Sequence, residues 1–398
     1  MARKRVAVAE LQFGMYVAEL DRPWTDTPFV FQGFHLRTEQ QLAALRRFCG
    51  YVLVDLERSE PPPAAAPGAP FRIRGGAAYP EQVSVEAEFQ RAAKNYGETE
   101  AALERLFAPL ARRGAVLEAE AVRESVARLT DSVVRNPDAL LLVSRLREKS
   151  ADAHARALQV AVYLIVFARY LQLERAELEL LGLLGLLQDV GKTRLPPELI
   201  NRKGPLSAEE RIAARRHVEH SAEILRETPG LPAPLAQLVL LHHERQDGSG
   251  YPRGLKGAEI GLYGSMAAIA DTFDALTTER AYAEPLSPSA ALSHLYKERG
   301  TGFHPELVEQ FIQCVGAFPV GSVVELNSGE VGIVIAQNLV RRLKPRVMVV
   351  LDSQGSPMRP PKILDLDKDP KASAEEVYRI RRSLEQGRVK IDPRELFL

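Results

Sequence analysis

The sequence predicts a mainly α-helical protein with a small α/β domain at its N-terminus and a short β-rich appendage near its C-terminus. Three observations predict this fold class. Helical periodicity runs through most of residues 81–320, strand-like apolar runs occupy both ends of the chain, and a segment rich in proline, alanine and glycine precedes the helices. With 398 residues the chain is long enough for two or three domains.

The N-terminal domain is predicted to comprise residues 1–58. Apolar runs at 6–8, 15–17 and 51–54 predict strands, and the periodicity of 38–48 predicts a helix. A linker is predicted over residues 59–80, because the stretch from Glu60 to Pro70 reads Glu-Pro-Pro-Pro-Ala-Ala-Ala-Pro-Gly-Ala-Pro. Such a composition is typical of an extended, unpacked segment.

Helices are predicted for most of the chain after the linker. Residues 81–148 form a first helical region, whose apolar stripes indicate packing in a bundle, and residues 149–320 form a second. The β-rich appendage is predicted over residues 321–370, with strands at 322–326, 331–336 and 346–351 and a hairpin turn at Ser328-Gly329. The tail, residues 371–398, is predicted to be helical because Ser373 followed by Glu376 matches a capping box.

Composition excludes several classes of partner and location. Lys+Arg and Asp+Glu both number 52, so no net field favours a nucleic-acid polymer or a membrane surface as partner. Cys49 and Cys314 are far apart in sequence, which argues for thiols in a reducing compartment. The longest apolar runs, near 158–171 and 179–187, fall short of the ~20 residues that span a bilayer. We expect a cytoplasmic protein without a targeting segment.

Histidines and carboxylates at special positions predict a metal site. His242 and His243 end an apolar run, and a glycine-rich turn that closes on Gly250-Tyr251-Pro252 follows them. Asp189 and Asp271 each interrupt an apolar helix, where a buried carboxylate needs a partner or a metal. Imidazole nitrogens and carboxylate oxygens suit divalent metals. The candidate ligands are His154, Asp189, His217, His242, His243 and Asp271.

Residues 150–320 resemble an HD-GYP domain, a branch of the HD superfamily of metal-dependent phosphohydrolases. The resemblance is carried by the following segments: Gln188-Asp-Val-Gly-Lys192, His217 with Ser221-Ala-Glu-Ile-Leu225, His242 to Pro252, Ala270-Asp-Thr-Phe-Asp-Ala-Leu-Thr277 and Gly302-Phe-His-Pro305. Residues 5–58 resemble the small domain of undefined role often found ahead of HD-GYP domains. The resemblance implies an HD-type helical bundle and metal-dependent hydrolysis of cyclic di-GMP, a bacterial second messenger, to the linear dinucleotide and often to GMP.

The resemblance also implies roles for individual residues. His154, Asp189 and Asp271 would hold one metal, usually iron or manganese, and Asp189 would bridge to a second metal held by His217, His242 and His243. Asp189, as the ligand that bridges the two metals, and Lys192 would be the catalytic residues. Lys192 would neutralise the phosphate or assist the leaving group. Arg280 and Tyr251 would contact the substrate, Arg280 as a charged fork on a phosphate and Tyr251 by stacking on a guanine or by meeting a protein partner.

Three positions depart from the family pattern. Gln188 replaces the histidine of the eponymous His-Asp pair, and its neutral carbonyl oxygen is a weaker ligand than imidazole. Ser150 stands where members with three metals carry a glutamate, so we expect two divalent ions at most, with the first site weakened. Ala283 replaces a basic residue that would contact a phosphate, which should weaken ligand binding.

Three functions follow from this pattern. The first is an active cyclic di-GMP phosphodiesterase, with activity reduced by Gln188. The second is a catalytically impaired HD-GYP module that binds cyclic di-GMP or, through the Gly-Tyr-Pro turn, a signalling protein. The third is a hydrolase of another nucleotide or phosphoester. The sequence leaves the metal identity, the final product, the input signal of the N-terminal domain and the oligomeric state open.

Overall fold

A computed structural model describes residues 3–29, 32–36, 39–60, 75–112, 114–147, 153–200, 202, 204–278, 284–338 and 341–384. The N-terminal domain is a four-stranded antiparallel sheet with one helix. Its elements are β1 (Arg3–Ala7), β2 (Tyr16–Leu20), β3 (Phe34–His35), α1 (Glu39–Phe48) and β4 (Tyr51–Asp55), with strand order β1-β4-β2-β3. Side chains alternate along β4, so that Val52 and Val54 are fully buried against Leu45 of α1.

The helical part of the chain forms one continuous core. Its helices are α2 (Val85–Phe107), α3 (Ala119–Arg135), α4 (Pro137–Leu146), α5 (Ala153–Tyr170), α6 (Arg175–Leu187), α7 (Pro197–Ile200), α8 (Ala208–Arg215), α9 (His217–Glu227), α10 (Leu235–Leu238), α11 (Gly261–Thr277), α12 (Pro288–Lys297) and α13 (Pro305–Val315). Helices from both predicted helical regions contribute to the same cluster of buried side chains.

Helices α5 and α6 lie at the centre of this core because they are apolar on nearly all sides. They approach closely at Gly185, where an added Cβ would collide with the backbone of Ala161. Phe167 of α5 and Phe273 of α11 both pack edge-on against Phe311 of α13. This packing fixes α5, α6 and α11. His154 lies on α5, Asp271 lies on α11, and Gln188 directly follows α6. Among the described residues, no helix is long and apolar enough to cross a membrane.

The C-terminal part is a five-stranded antiparallel sheet. Its strands are β5 (Val323–Leu326), β6 (Val331–Ala336), β7 (Arg346–Leu351), β8 (Pro357–Asp365) and β9 (Ile380–Ser383), in the order β8-β7-β6-β5-β9. The turn at Ser328-Gly329 is confirmed, since the Gly329 N–H donates to Leu326 O at 3.0 Å between β5 and β6. The sheet contacts the helices where the Gln337 N–H donates to Asp138 at 2.9 Å. The predicted fold class is therefore confirmed: a helical bundle with a small N-terminal α/β domain and a C-terminal β-rich appendage.

The prediction of a helical tail is wrong over the residues that the structure describes. The described part of the tail, up to residue 384, contains no helix; instead Ile380–Ser383 forms strand β9 beside β5. The Ser373 hydroxyl does accept from Glu376 N at 3.1 Å, but Ser373 N also donates to Glu376 O, which closes a turn rather than a helix. The unpaired edge of β5 supplies the pairing that local sequence signals cannot reveal. Residues 385–398 lie outside the described part.

The end of the predicted linker is packed rather than free. Gly75 N donates to Leu171 O and Ala77 N to Gln172 O, while the Tyr79 hydroxyl donates to Leu173 O. These carbonyls follow the C-terminus of α5 and have no partner within that helix, so the chain from residue 75 satisfies them. The proline- and alanine-rich residues 61–74 lie outside the described residues.

Candidate metal centre

Four of the predicted ligands come together in one pocket. Asp189, His217, His242 and His243 each offer one ligand atom, and these four atoms lie within 4.8 Å of one another. Asp189 is the second residue after the end of α6, His217 is the first residue of α9, and the two neighbouring histidines lie in the turn after α10. The structure thus assembles residues up to 54 positions apart in sequence (243 minus 189) into one cluster.

The hydrogen bonds of the histidines direct their acceptor nitrogens into the pocket. Nδ1 of His217 donates to Ala214 O at 2.7 Å, and Nδ1 of His242 donates to Val239 O at 2.8 Å. In the neutral ring Nε2 then carries the lone pair. The two Nε2 atoms lie 3.1 and 3.6 Å from Oδ1 of Asp189.

These converging atoms fit a divalent cation. Within the described ranges, Asp189 Oδ1, His217 Nε2 and His242 Nε2 are buried and have no hydrogen-bond partner. Three acceptors that face one another without a donor are costly to bury, and a cation between them removes that cost. The backbone carbonyls on the Nδ1 side play the part that outer partners of metal-binding histidines usually play.

The electrostatics of the pocket keep its ligands in the protonation states that a metal requires. Burial alone would raise the pKa of Asp189, but the ammonium of Lys192 holds that pKa well below its usual range. Burial, reinforced by His242, lowers the pKa of His243 well below its usual range. The carboxylate is therefore ionised and His243 neutral at neutral pH, as metal binding needs.

A close contact between the loop after α6 and helix α9 fixes Asp189 relative to His217. The buried Ser221 hydroxyl donates to Gln188 O and accepts from Gly191 N, both at 2.8 Å. Gly191 lies so close to α9 that an added Cβ would collide with the carbonyl oxygen of His217. The glycine and the serine in the family-like segments therefore have a local structural reason.

The glycine-rich turn after the paired histidines is held by carboxylates. Glu244 accepts from Arg253 N at 2.8 Å and from Leu255 N at 2.9 Å, while Asp247 accepts from Ser249 N at 2.8 Å. Glu244 is 1 % exposed, so its charge is satisfied within the loop. Both carboxylates therefore bind backbone N–H groups of the turn itself.

Tyr251 lies against the ligand set. Its ring stacks on that of His243, with centroids 4.6 Å apart, and the guanidinium of Arg215 lies 4.7 Å from the Tyr251 ring centroid. Arg215 was not singled out from the sequence, because nothing local distinguishes it from the other basic residues of α8. This stacking fixes the ring orientation of His243.

The remaining predicted residues stand outside the four-ligand group. Lys192 Nζ lies 2.5 Å from Asp189 Oδ2. His154, on α5, and Asp271, on α11, are not members of the group. Arg280, Ser150 and Ala283 lie outside the described residues.

Asp271 is contacted by nitrogen donors. Gln188 Nε2 donates to Asp271 Oδ1 at 3.3 Å, and the Arg156 guanidinium lies 3.8 Å from the same oxygen. Arg156 Nε also donates to Asp274 Oδ2 at 3.1 Å. Sequence reasoning missed Arg156; the signal was available in the spacing of Asp271 and Asp274, which share a helix face and together need a cation.

Comparisons with known proteins match three segments of the chain. The HD domain family matches residues 141–307, a domain of unknown function matches residues 3–122, and the KOW domain associated with HD domains matches residues 323–379. The chain is 32 % identical over 372 residues to a cyclic di-GMP phosphodiesterase of Pseudomonas aeruginosa, which covers 92 % of this chain and 89 % of that protein.

Two further relatives match less than half of the chain. A 3'3'-cGAMP-specific phosphodiesterase of Vibrio cholerae is 34 % identical over 43 % of this chain and 33 % of its own length. A cyclic di-GMP phosphodiesterase response regulator of Xanthomonas campestris is 36 % identical over 37 % of this chain and 39 % of its own length. Of these three relatives, the Pseudomonas protein is the one that is similar over nearly the full length of this chain.

Proposed function

Because the chain belongs to the HD-GYP family, we propose that it is a metal-dependent phosphodiesterase that hydrolyses cyclic di-GMP to the linear dinucleotide or GMP in bacterial second-messenger signalling. The observation that supports this most is the set of buried, unpartnered ligand atoms on Asp189, His217 and His242, beside His243. A relative similar over nearly its whole length carries the name cyclic di-GMP phosphodiesterase. The substrate is proposed on that basis.

The residues of the pocket divide the work of such a reaction. Asp189, His217, His242 and His243 would hold a divalent ion, which when bound supplies Lewis acidity and a water of lowered pKa. Glu244 and Tyr251 keep the paired histidines in place through the loop bonds and ring stacking described above. Iron or manganese is the proposed metal, since imidazole and carboxylate ligands suit either ion.

Lys192 is proposed to serve both the metal ligand and the substrate. Its ammonium holds Asp189 ionised from 2.5 Å, and its side chain is 26 % exposed, so the charge also reaches the pocket. A phosphate oxygen entering beside Asp189 would meet this ammonium. Arg280 and Tyr251 remain proposed substrate contacts, and the Arg215 guanidinium adds a positive group beside Tyr251.

A second candidate function is a binding module with impaired catalysis. The observation that favours it is the Gln188–Asp271 hydrogen bond, which occupies a carboxylate that the first metal would need. Such a module would bind cyclic di-GMP, or a signalling protein through the Gly-Tyr-Pro turn, without turnover.

The test is turnover by protein purified without oxygen and loaded with iron(II) or manganese(II). Cyclic di-GMP and 3'3'-cGAMP are supplied in parallel, and the products are separated by chromatography. We expect metal-dependent linear dinucleotide or GMP from cyclic di-GMP, lost in His243→Ala protein shown to be folded by circular dichroism. Preferential cleavage of 3'3'-cGAMP would replace the proposed substrate. Binding of cyclic di-GMP by folded, metal-loaded protein without turnover would establish the second candidate instead.

A further inference from the structure

The two sides of the pocket have opposite hydrogen-bond character. On the side of Asp189, imidazole nitrogens and a carboxylate oxygen converge as unpartnered acceptors. On the side of Asp271, the groups that approach the carboxylate are an amide N–H of Gln188 and the guanidinium of Arg156. A guanidinium has no lone pair to give to a metal, and neither does an amide nitrogen.

Arg156 is anchored by a second carboxylate. Its Nε donates to Asp274 Oδ2 at 3.1 Å, and the Asp274 side chain is only 1 % exposed. The Thr278 hydroxyl donates to the other oxygen of Asp274 at 3.2 Å. A metal that displaced Arg156 would leave Asp274 buried without its cation, which is strongly unfavourable.

We infer that the chain holds a single divalent metal ion, at Asp189, His217, His242 and His243, and that Arg156 with Gln188 satisfies Asp271 in place of a second ion. This inference rests on the metal centre of the proposed function and concerns how many ions that centre takes.

One competing arrangement places a second metal between Gln188 and Asp271. It would turn the Gln188 amide over, so that its buried and unpartnered Oε1 faced Asp271 across the metal. The Arg156 guanidinium, 3.8 Å from Asp271 Oδ1, would then lie next to a dication. The guanidinium and the dication would repel each other strongly in such a largely buried site. Arg156 could not move away without breaking its ion pair with Asp274. The arrangement with a single ion avoids this repulsion.

Metal counting tests the inference independently of turnover. The full-length protein is saturated with manganese(II) without oxygen and freed of excess metal. Bound manganese is then measured by elemental analysis and by electron paramagnetic resonance. We expect about one ion per chain, with the signal of an isolated manganese(II) rather than of an exchange-coupled pair. Two ions per chain, or a coupled signal, would overturn the inference and leave the proposed function standing. No bound ion at all would overturn both.

Matched asparagine variants assign the ion to one side of the pocket. Asp271→Asn is expected to keep about one ion, because Asn retains an oxygen for Gln188, whereas Asp189→Asn is expected to lose it. If Asp271→Asn lost the ion and Asp189→Asn retained it, the metal would be bound at Asp271 rather than at Asp189. That result would overturn the inference. Gln188→His is also expected to keep about one ion, because Arg156 still pairs with Asp271. A second ion in that variant would show that Arg156 does not exclude it.

Discussion

The contact between the loop after α6 and helix α9 can be tested at Ser221. Its hydroxyl is fully buried and serves two backbone groups, Gln188 O and Gly191 N, each at 2.8 Å. In Ser221→Ala both groups lose their partner in a place that water does not reach. Each buried unpaired polar group costs about 1–3 kcal/mol, so we expect the free energy of unfolding to fall by about 2–6 kcal/mol.

The same change should weaken metal binding, because the serine holds Asp189 against His217. Loss of such outer support typically reduces metal affinity about 10–100-fold. Ser265→Ala is the matched control. Ser265 is also buried, but within the described residues its hydroxyl has no hydrogen-bond partner, so its removal should change stability by less than about 1 kcal/mol and leave metal affinity unchanged.

The two serine variants can be compared by urea denaturation followed by circular dichroism and by titration of the apoprotein with manganese(II). Equal stability losses in Ser221→Ala and Ser265→Ala would refute the reasoning, because they would show that the two hydrogen bonds contribute nothing beyond the loss of a buried hydroxyl. Unchanged metal affinity in Ser221→Ala would refute the link between this contact and the ligand geometry.

Three further predictions concern pH, the glycine-rich turn and metal removal. Burial raises the pKa of Asp138 to about 7. The folded protein therefore retains a proton that the unfolded chain releases above about pH 4. The free energy of unfolding falls as the pH rises from about 4 to about 7. Asp138→Asn should therefore stabilise the protein by about 2–3 kcal/mol more at pH 8 than at pH 5 in urea denaturation, and an equal gain at both pH values would contradict this. Glu244→Gln places an amide N–H against the backbone N–H of Arg253 or Leu255. We therefore expect metal affinity to fall about 10–100-fold in the manganese(II) titration. An unchanged affinity would show that the hydrogen bonds of this loop do not position the histidines. Manganese(II) at about 100 times its dissociation constant should raise the free energy of unfolding by about 2.7 kcal/mol, an effect that a chelator reverses and that His243→Ala lacks; equal stabilisation of that variant would place the ion elsewhere.

Local patterns were sufficient for much of the fold. The predicted strands at 331–336 and 346–351 have the observed bounds, because their apolar runs pair with neighbours close in sequence through a defined turn. The tail shows the opposite case. The hydrogen bond from Glu376 N to the Ser373 hydroxyl is compatible with either the start of a helix or a turn. The pairing of β9 with β5, more than 50 residues earlier, favours the turn.

The site shows the same division between local and distant information. The four ligands that meet were all predicted, since each lies in a segment whose order and flanks are distinctive. The role of Arg156 was not predicted, because the spacing of Asp271 and Asp274 indicates that a cation is needed but not which residue supplies it. Its partners lie on α11, and only the packing of α5 against α11 brings them together.

Hydrogen-bond polarity is a more specific indicator of metal binding here than the number of histidines and carboxylates. Around Asp189 the imidazole Nδ1–H groups are bound to backbone carbonyls, so lone pairs converge and the pocket is repulsive until a cation enters. Around Asp271 the N–H groups of Gln188 and Arg156 converge on the carboxylate, and the arrangement is already attractive. A dication that binds Asp271 would have to break an ion pair and a hydrogen bond of that carboxylate. A dication that binds Asp189 at Oδ2 would break only the contact between Asp189 and Lys192, and one that binds at Oδ1 would leave that contact intact. Arg156, together with Gln188, thus surrounds Asp271 with hydrogen-bond donors, and a metal is more stable on the Asp189 side of the pocket.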